Sequence, residues 1–406
     1  MSVSEELRTR LVDELVTKGA LTDERIKQAF LAVPREQFLP ETAEKEGLER
    51  VYQDAAIQTL FDSKGMSISS SSQPAIMAPM LEMLQIEPGM RVLEIGTATG
   101  YNAALLSHLV GPDGTVVSIE LQPTLTESAE RKLHHTGNNM TVCCGDGREG
   151  VPDHGPCDKI IVTASAPDIY RPWFDQLRPG GLLVLPLVLC PSIDGASWFG
   201  AQAVVAMERI EQGFRSARVI QGHFMGLRAQ PSDGSWAGSI DFIGLSQARN
   251  GAISPMAQIR GNNLRRLSDP VRIRLARLVA TAPRRAALRG PLPHAVYCSL
   301  AAPQPRLLGY SGAGTNGIAV FDSSGRSLRA MVAAGPPPNF RHALLGWGEA
   351  DATASLQEII ATWKLLGSPG LSDLQIRVSY GRPPRGAWRL SRRQHATLAF
   401  DWPRSA

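Results

Sequence analysis

The chain has no apolar run approaching the ~18 residues that would cross a bilayer. Its opening residues Ser4-Glu5-Glu6-Leu7-Arg8 are charged where a secretory signal carries an apolar core. A membrane or exported chain is therefore not expected, and a cytoplasmic one is. Cysteine is scarce: Cys143, Cys144, Cys157, Cys190 and Cys298 are the whole set. They fall mostly at apolar, strand-like positions without paired ligand spacing, which argues for reduced thiols and against a metal centre. His134, His135, His154, His294 and His342 also lack ligand spacing and read as surface or core histidines. There is no internal repeat. Lysine is nearly missing from the second half. From Arg228 onward there are 23 Lys/Arg residues, of which only Lys364 is lysine, against 9 Asp/Glu, a net of +14 that faces −10 in the first 227 residues. An arginine-rich half suits phosphate or carboxylate partners. Codon bias on an ordinary solvated surface gives the same composition, so both readings stay open.

At 406 residues and 43% hydrophobic content, the chain exceeds what one core usually supports, and two domains are expected. Residues 4–45 read as helical, with Thr22-Asp23 capping a helix that runs to Ala32 and stops at Val33-Pro34. A mixed segment with a serine-rich turn follows. Pro74 then opens a helix whose apolar residues Ile76, Met77, Met80, Leu81 and Leu84 recur with helical period. From Arg91, strands over 91–95, 115–120, 141–144, 159–163 and 182–187 alternate with helices over 102–110, 124–136 and 171–177. The last strand follows the Pro179-Gly180-Gly181 turn. Such alternation predicts an α/β fold with a doubly wound, mostly parallel sheet, closed by a hairpin over 203–222. Residues 226–262, rich in Gly, Ser, Ala and Pro, read as a linker with little regular structure. Residues 263–406 read as a basic C-terminal α+β domain. It holds helices over 269–280 and 355–366, a hairpin about Ser323-Ser324-Gly325 joining 317–321 to 328–333, and strands over 374–380 and 396–402. The expected layout is 1–225, a linker 226–262, and 263–406.

The most informative stretch runs from Val92 to Tyr101. Val92-Leu93-Glu94-Ile95 is a buried strand end, Gly96-Thr97-Ala98-Thr99-Gly100 a glycine-punctuated turn, and a helix starts near Tyr101. This places backbone N–H groups and a helix N-terminus at the carboxyl end of a parallel strand, where a nucleoside-bearing cofactor can approach closely. The nicotinamide fingerprint Gly-x-Gly-x-x-Gly needs its third glycine for helix–strand packing, and no glycine fills that slot here. Glu120, with Leu121 beside it, ends the next strand about 20 residues past Gly100, where a carboxylate can accept from both ribose hydroxyls. A capping or surface glutamate is the plainer alternative. Asp146, between Gly145 and Gly147, suits an adenine amino group, or is a simple turn aspartate. Thr163 ends the strand over 159–163 on the same crevice.

These residues, read with Pro34-Arg35-x-x-Phe38-x-Pro40, Tyr52-x-Asp54, Gly65-x-Ser67-Ile68-Ser69 and Ile160-Ile161-Val162-Thr163-Ala164, resemble protein-L-isoaspartate O-methyltransferases over roughly residues 20–190. The resemblance implies a class I methyltransferase, Rossmann-like domain with S-adenosylmethionine as cofactor and S-adenosylhomocysteine as product. The cofactor residues it implies are Glu94, Gly96, Thr97, Ala98, Gly100, Tyr101, Glu120, Leu121, Asp146, Gly147 and Thr163. The acceptor it implies is the side-chain carboxyl of aspartate or isoaspartate in a peptide or protein, the ester then collapsing through a succinimide (aspartimide). A carboxylate is already ionised at neutral pH, so no strong base is needed. Catalysis reduces to holding an oxygen in line with the methyl carbon. The family serine falls on Ser69, with Ser67 and Ser70 as further candidates and Ile68 as a wall. Ser71, Ser72 and Gln73 complete the expected substrate loop, whose plain alternative is a flexible polar loop. The N-terminus of the helix opened by Pro74 is expected to attract the acceptor carboxylate.

The sequence departs from the family in three places. Four serines, Ser69 to Ser72, precede Gln73-Pro74 where the family has one. Ala98 stands for the family's second glycine, which reads as a turn narrowed by one methyl. The family's repair enzymes are usually one compact domain, whereas about 180 further residues follow here. That extension resembles the layout of isoaspartate-methyltransferase-like enzymes that tailor ribosomally made peptides by methylating a normal aspartate. Tailoring is therefore the leading expectation, with the basic domain holding the precursor, and general isoaspartyl repair is the alternative. An RNA methyltransferase would use the +14 region on phosphates. However, that region has few lysines and no RNA-binding signature, and Thr163-Ala164-Ser165-Ala166 stands where a base-methylating enzyme carries an Asn-Pro-Pro-Tyr-like motif. A binding protein that kept the cofactor fold without catalysis is a further rival.

Overall fold

The computed structural model describes residues 2–63, 65, 67–135, 140–189 and 202–228, then 242–249, 252–260, 268–279, 284–287, 307–312, 315–321, 326, 328–334, 341–348, 360–361, 363–365, 367–383, 389–392 and 395–401. The chain forms two compact units, one of Met1–Leu187 with Val204–Asp233, the other of Val188–Ala203 with Gly234–Ala406.

The first unit opens with helices α1 (Val3–Thr17), α2 (Glu24–Ala32), α3 (Pro40–Glu46) and α4 (Leu48–Val51). Ser2 and Glu5 close a reciprocal capping box on α1. The Asp23 carboxylate accepts from the N–H groups of Arg25 and Ile26 at the start of α2. Strands β1 (Ile57–Phe61) and β2 (Ser67–Ser71) pair antiparallel, and α5 (Pro74–Leu84) starts with proline in its first turn. Then follow β3 (Arg91–Ile95), α6 (Tyr101–Val110), β4 (Thr115–Glu120), α7 (Pro123–His135), β5 (Met140–Cys144), β6 (Cys157–Val162), α8 (Arg171–Gln176), β7 (Leu177–Val188), β8 (Gln202–Ile210) and β9 (Gly213–Gln221).

Within this unit the strands lie in the order β9-β8-β7-β6-β3-β4-β5, with β3–β4, β4–β5, β3–β6 and β6–β7 parallel. The inner strands are buried almost throughout, as a parallel sheet covered on both faces requires. Helix α6 is buried at eight of its ten positions. It joins residues of α1, α2 and α5 in one continuous core. From β3 the chain winds outward to β5, then returns to the other side at β6. The order therefore reverses between β3 and β6, the point at which such a sheet takes a ligand in a crevice beyond its carboxyl ends.

Two expectations change in this unit. The serine-rich segment is not a turn but strand β2. Its polar side chains hide an alternation that shows only in burial. Strand β7 begins at Leu177, ahead of Pro179-Gly180-Gly181, and this triplet sits at a register shift against β6. A bulge absorbs the residues that look like a turn.

The second unit is α+β. Strands β10 (Phe242–Arg249), β11 (Ala252–Arg260), β12 (Arg284–Ala287), β13 (Leu307–Gly312), β14 (Thr315–Phe321), β15 (Leu328–Ala334) and β16 (Arg341–Trp347) form a sheet in the order β10-β11-β13-β14-β15-β16-β12. Its neighbours are antiparallel throughout, and α9 (Asp269–Val279) interrupts the series. Strands β17 (Gln375–Ser379), β18 (Arg389–Arg392) and β19 (Thr397–Asp401) pair antiparallel with β19 in the middle. The presumed linker over 226–262 thus holds two full strands. Its Gly/Ser/Ala average masks the runs around Phe242-Ile243 and Ile253, and Asn250-Gly251 between them is a hairpin signal. The expected helix over 355–366 is helical at 360–361 and 363–365. Cys190, His294, Cys298, Ser323-Ser324-Gly325 and the rest of that helix lie outside the described residues. No helix among the described residues is long and apolar enough to cross a membrane.

Candidate active site

The turn after β3 is held open by a close approach. Gly96 has φ +100°, and a β-carbon there would lie 2.4 Å from Thr163 Oγ1. Thr163 Oγ1 lies 2.6 Å from the Gly96 carbonyl oxygen and 3.0 Å from that of Ile95. The Thr163 N–H also donates to Ile95. Thr163 thereby clips the ends of β3 and β6 together at the point where the sheet reverses. Gly100 caps α6 with φ +88°, so the first N–H groups of that helix lie past the carboxyl end of β3 without intrahelical partners, the Tyr101 N–H donating to Thr99 Oγ1 at 3.4 Å. Ala98 has φ +48°. This corrects the reading of Ala98 as a mere narrowing, because its β-carbon is carried into a left-handed conformation that costs about 1 kcal/mol.

Beneath the turn lies a polar relay. Glu94, fully buried, accepts from Ser118 Oγ at 2.5 Å and from Asn102 Nδ2 at 2.7 Å, and Ser118 Oγ lies 2.5 Å from Thr97 Oγ1. Burial pushes the Glu94 carboxyl up to about 7, with the bonds from Ser118 and Asn102 opposing and Glu120 adding to the rise. The Tyr101 ring is also fully inside, edge-on to Phe30, against Phe38 and under the Arg35 guanidinium. Glu94 and Tyr101 were expected to line the cofactor site. Their side chains instead support the turn from within, because each is enclosed by its own partners.

The rim of the crevice is carried by Glu120 and Asp146. Glu120 Oε2 accepts from the Ala98 N–H at 2.9 Å and Oε1 from the Gln122 N–H at 3.0 Å, which joins the end of β4 to the glycine turn. Leu121 follows in the connection to α7. Asp146 takes a bidentate ion pair from Arg148 and also accepts its N–H. Gly147 is pressed against Ile95, whose Cγ2 would meet a β-carbon at 2.5 Å, and its carbonyl accepts from Trp173 Nε1 at 2.8 Å. Trp173, in α8, was not singled out from the sequence.

The serines divide by position on β2. Ser69 and Ser71 are buried, while Ser67, Ile68 and Ser70 are half-exposed. Ser69 Oγ accepts from Thr59 on β1 at 3.2 Å, which leaves its own proton available to donate. Ser71 Oγ instead lies 3.4 Å from Arg35 Nη2. The buried Arg35 guanidinium also donates to the carbonyls of Val51, Gln53, Ala55 and Ser72. It is the anchor that fixes the end of β2, and its place in the Pro34-Arg35 motif was its only sequence signal. The N-terminus of α5 is not left open for a substrate carboxylate, as the sequence suggests. Asp54 Oδ1 already accepts from the Ala75 N–H at 2.9 Å, while Oδ2 pairs with Lys18 and accepts from Gln73.

One segment joins β2 to the crevice. Ser165, just past Thr163, donates its N–H to Met225 and accepts from Leu227. Met225 Sδ lies 3.9 Å from Ser67 Oγ, and Arg228 Nη2 donates to the Ser67 carbonyl at 3.1 Å.

The fold is similar to that of a solved protein-L-isoaspartate O-methyltransferase. That structure is similar at TM-score 0.53 with 24% identity, covering 92% of this chain and 96% of that one. The architecture is the class I methyltransferase fold. A family model described as "Protein-L-isoaspartate(D-aspartate) O-methyltransferase (PCMT)" matches residues 6–194. The enzyme of that name from Hyperthermus butylicus is 41% identical over 191 residues, 45% of this chain and 75% of its own. The one from Methanothermobacter thermautotrophicus is 40% identical over 181 residues, 44% of this chain and 79% of its own. The chain belongs to the protein-L-isoaspartate O-methyltransferase family, a carboxyl O-methyltransferase family whose methyl donor is S-adenosylmethionine.

Proposed function

We propose that this protein repairs isoaspartyl residues in proteins or peptides by methylating their carboxyl group. The observation that carries the reading is the link from Ser165 through Met225 to Ser67. It supports a hydroxyl-bearing strand beside the crevice of a methyltransferase fold. The site's residues fit the cofactor. A turn that tolerates no side chain at Gly96, N–H groups at the start of α6, and the carboxylates of Glu120 and Asp146 make a cradle for an amino acid, a ribose and an adenine in that order. Bound there, S-adenosylmethionine supplies an electrophilic methyl group on a sulfonium. The acceptor's own carboxylate oxygen forms the new C–O bond as the C–S bond breaks to sulfur, so no proton needs to move. The protein's task is alignment and exclusion of water. Ser69, whose hydroxyl donates to no group among the described residues, donates to the acceptor carboxylate, Ser67 and Ser70 flank it, and Ile68 is an apolar wall. Ser71 holds Arg35 and acts structurally.

Incubation with S-adenosylmethionine and a short isoaspartyl peptide, followed by mass spectrometry, tests this. The expected result is a gain of one methyl, then loss of methanol as the following backbone nitrogen closes the succinimide. An isoaspartyl peptide left unmodified beside a methylated RNA would overturn it.

Tailoring of a ribosomally made peptide is a second reading, favoured by the extra serines on β2 and the basic second half. The length of the chain adds nothing to it, since a solved relative matches over 92% of this chain. A constrained aspartyl peptide methylated in preference to the linear isoaspartyl one would move the assignment there.

A further inference from the structure

Arg228 has no acidic ion-pair partner among the described residues. It follows the stretch laid beside Ser165, and its guanidinium makes one hydrogen bond, to the Ser67 carbonyl at 3.1 Å, with no ion pair among the described residues. Yet it is half-buried, and the carboxylates that act on it electrostatically are Asp62, in the connection between β1 and β2, and Glu120, at the crevice rim. Burial disfavours its charged form. A half-buried guanidinium with one of its five donors used among the described residues is costly unless something anionic completes it. Its hydrogen bond places it at the start of β2, beside the residue that carries the Ser67 hydroxyl.

We propose that Arg228 is the specificity residue for the acceptor: the guanidinium, braced by the Ser67 carbonyl, receives the one free carboxylate of the isoaspartyl residue, leaving a lone pair of one oxygen for the methyl carbon, and admits acidic acceptors in preference to neutral ones. The planar fork matches a carboxylate bidentately while the hydrogen bond to Ser67 holds it in place. The inference rests on the isoaspartyl reading given above and adds the residue that enforces it. It also separates the two ends of β2, since Arg35 fixes Ser71 and Ser72 while Arg228 ties Ser67 to the crevice.

The test compares two peptides that differ only in charge, one carrying isoaspartate and one carrying the same residue as its carboxamide. Each is titrated by calorimetry into full-length protein saturated with S-adenosylhomocysteine. Wild type is expected to bind the carboxylate about 10- to 100-fold more tightly than the carboxamide, as a charge-assisted hydrogen bond in a desolvated site allows. Arg228→Gln is expected to lose that discrimination, with affinity for the carboxamide and for S-adenosylhomocysteine unchanged within about 3-fold. Arg228→Lys keeps the charge without the fork and is expected to regain part of it. If Arg228 only tethers β2, both peptides weaken equally in the Gln variant, and the proposal falls. It falls equally if the Gln variant retains the discrimination. If Gln prevents folding, the Lys variant decides, since discrimination equal to wild type there means the fork is not what reads the acid. Wild-type protein that fails to methylate the isoaspartyl peptide sinks the functional reading itself, whereas methylation with unaltered discrimination in the variants sinks only this inference.

Discussion

Gly96 shows how one absent side chain shapes the site. Its β-carbon would meet Thr163 Oγ1 at 2.4 Å on a backbone of φ +100°, so Gly96→Ala combines a clash with a left-handed alanine. The expected loss is at least about 2 kcal/mol of stability and more than about tenfold in S-adenosylhomocysteine affinity, read by chemical denaturation and calorimetry. Two positions on, the reverse change should help. Ala98→Gly removes left-handed strain at φ +48° and is expected to be stabilising by up to about 1 kcal/mol, the freer unfolded chain offsetting part of the gain. A drop in melting temperature would contradict that assignment of strain. Glu94 gives the fold a pH signature. Its carboxyl is raised from an ordinary 4.5 to about 7 in the fold, so the folded state holds the proton longer than the unfolded one. The stabilisation is complete below about pH 4.5 and is lost as pH rises through about 7. Replacing it by glutamine removes this dependence. Between about pH 4.5 and 8, stability should shift in favour of Glu94→Gln over wild type by roughly 3 kcal/mol. Parallel pH curves for the two would refute it.

At the level of elements, the hairpin of β1 and β2 depends on a side chain that belongs to neither strand. Arg35 donates to four backbone carbonyls across Val51–Ser72 and lies near Ser71. Arg35→Met keeps the bulk but orphans these acceptors, at an expected loss of about 3 kcal/mol or more. The KM for the isoaspartyl peptide should rise more than the cofactor affinity falls, because Ser69 loses its frame while the Gly96 turn does not. Equal losses in both would mean that Arg35 supports the whole unit. The strands and helices from β3 to α8 were legible because each burial pattern is carried by apolar residues at a clear period. β2 was not, since its alternation is between buried and half-exposed serines, which are the same residue type. β7 and the pair β10–β11 were hidden similarly, by a Pro-Gly-Gly triplet that became a bulge and by an average composition that blurred two β runs.

For the whole molecule, the division into two compact units predicts two heat-capacity transitions in calorimetry of the intact chain. S-adenosylhomocysteine binds native protein alone and should raise only the transition of the unit carrying the Gly96 turn. One transition, or a shift in both, would show that the units unfold as one. The charge contrast between the two halves, −10 before Arg228 and +14 from it, bears on which substrates approach and not on the fold.

The succession of strands and helices, the glycine turn and the carboxylates at successive strand ends were legible in the sequence, because each depends on residue type and local spacing, and the class of reaction was legible through the family resemblance that those motifs carry. Only the tertiary structure decided which of those side chains face the crevice. Glu94 and Tyr101 turned inward, Asp54 took the helix N-terminus meant for a substrate, and Arg35, Trp173 and Arg228 joined the site from distant segments. Hydrogen-bond partners and burial are properties of contacts between parts of the chain far apart in sequence, and spacing along the chain does not encode them.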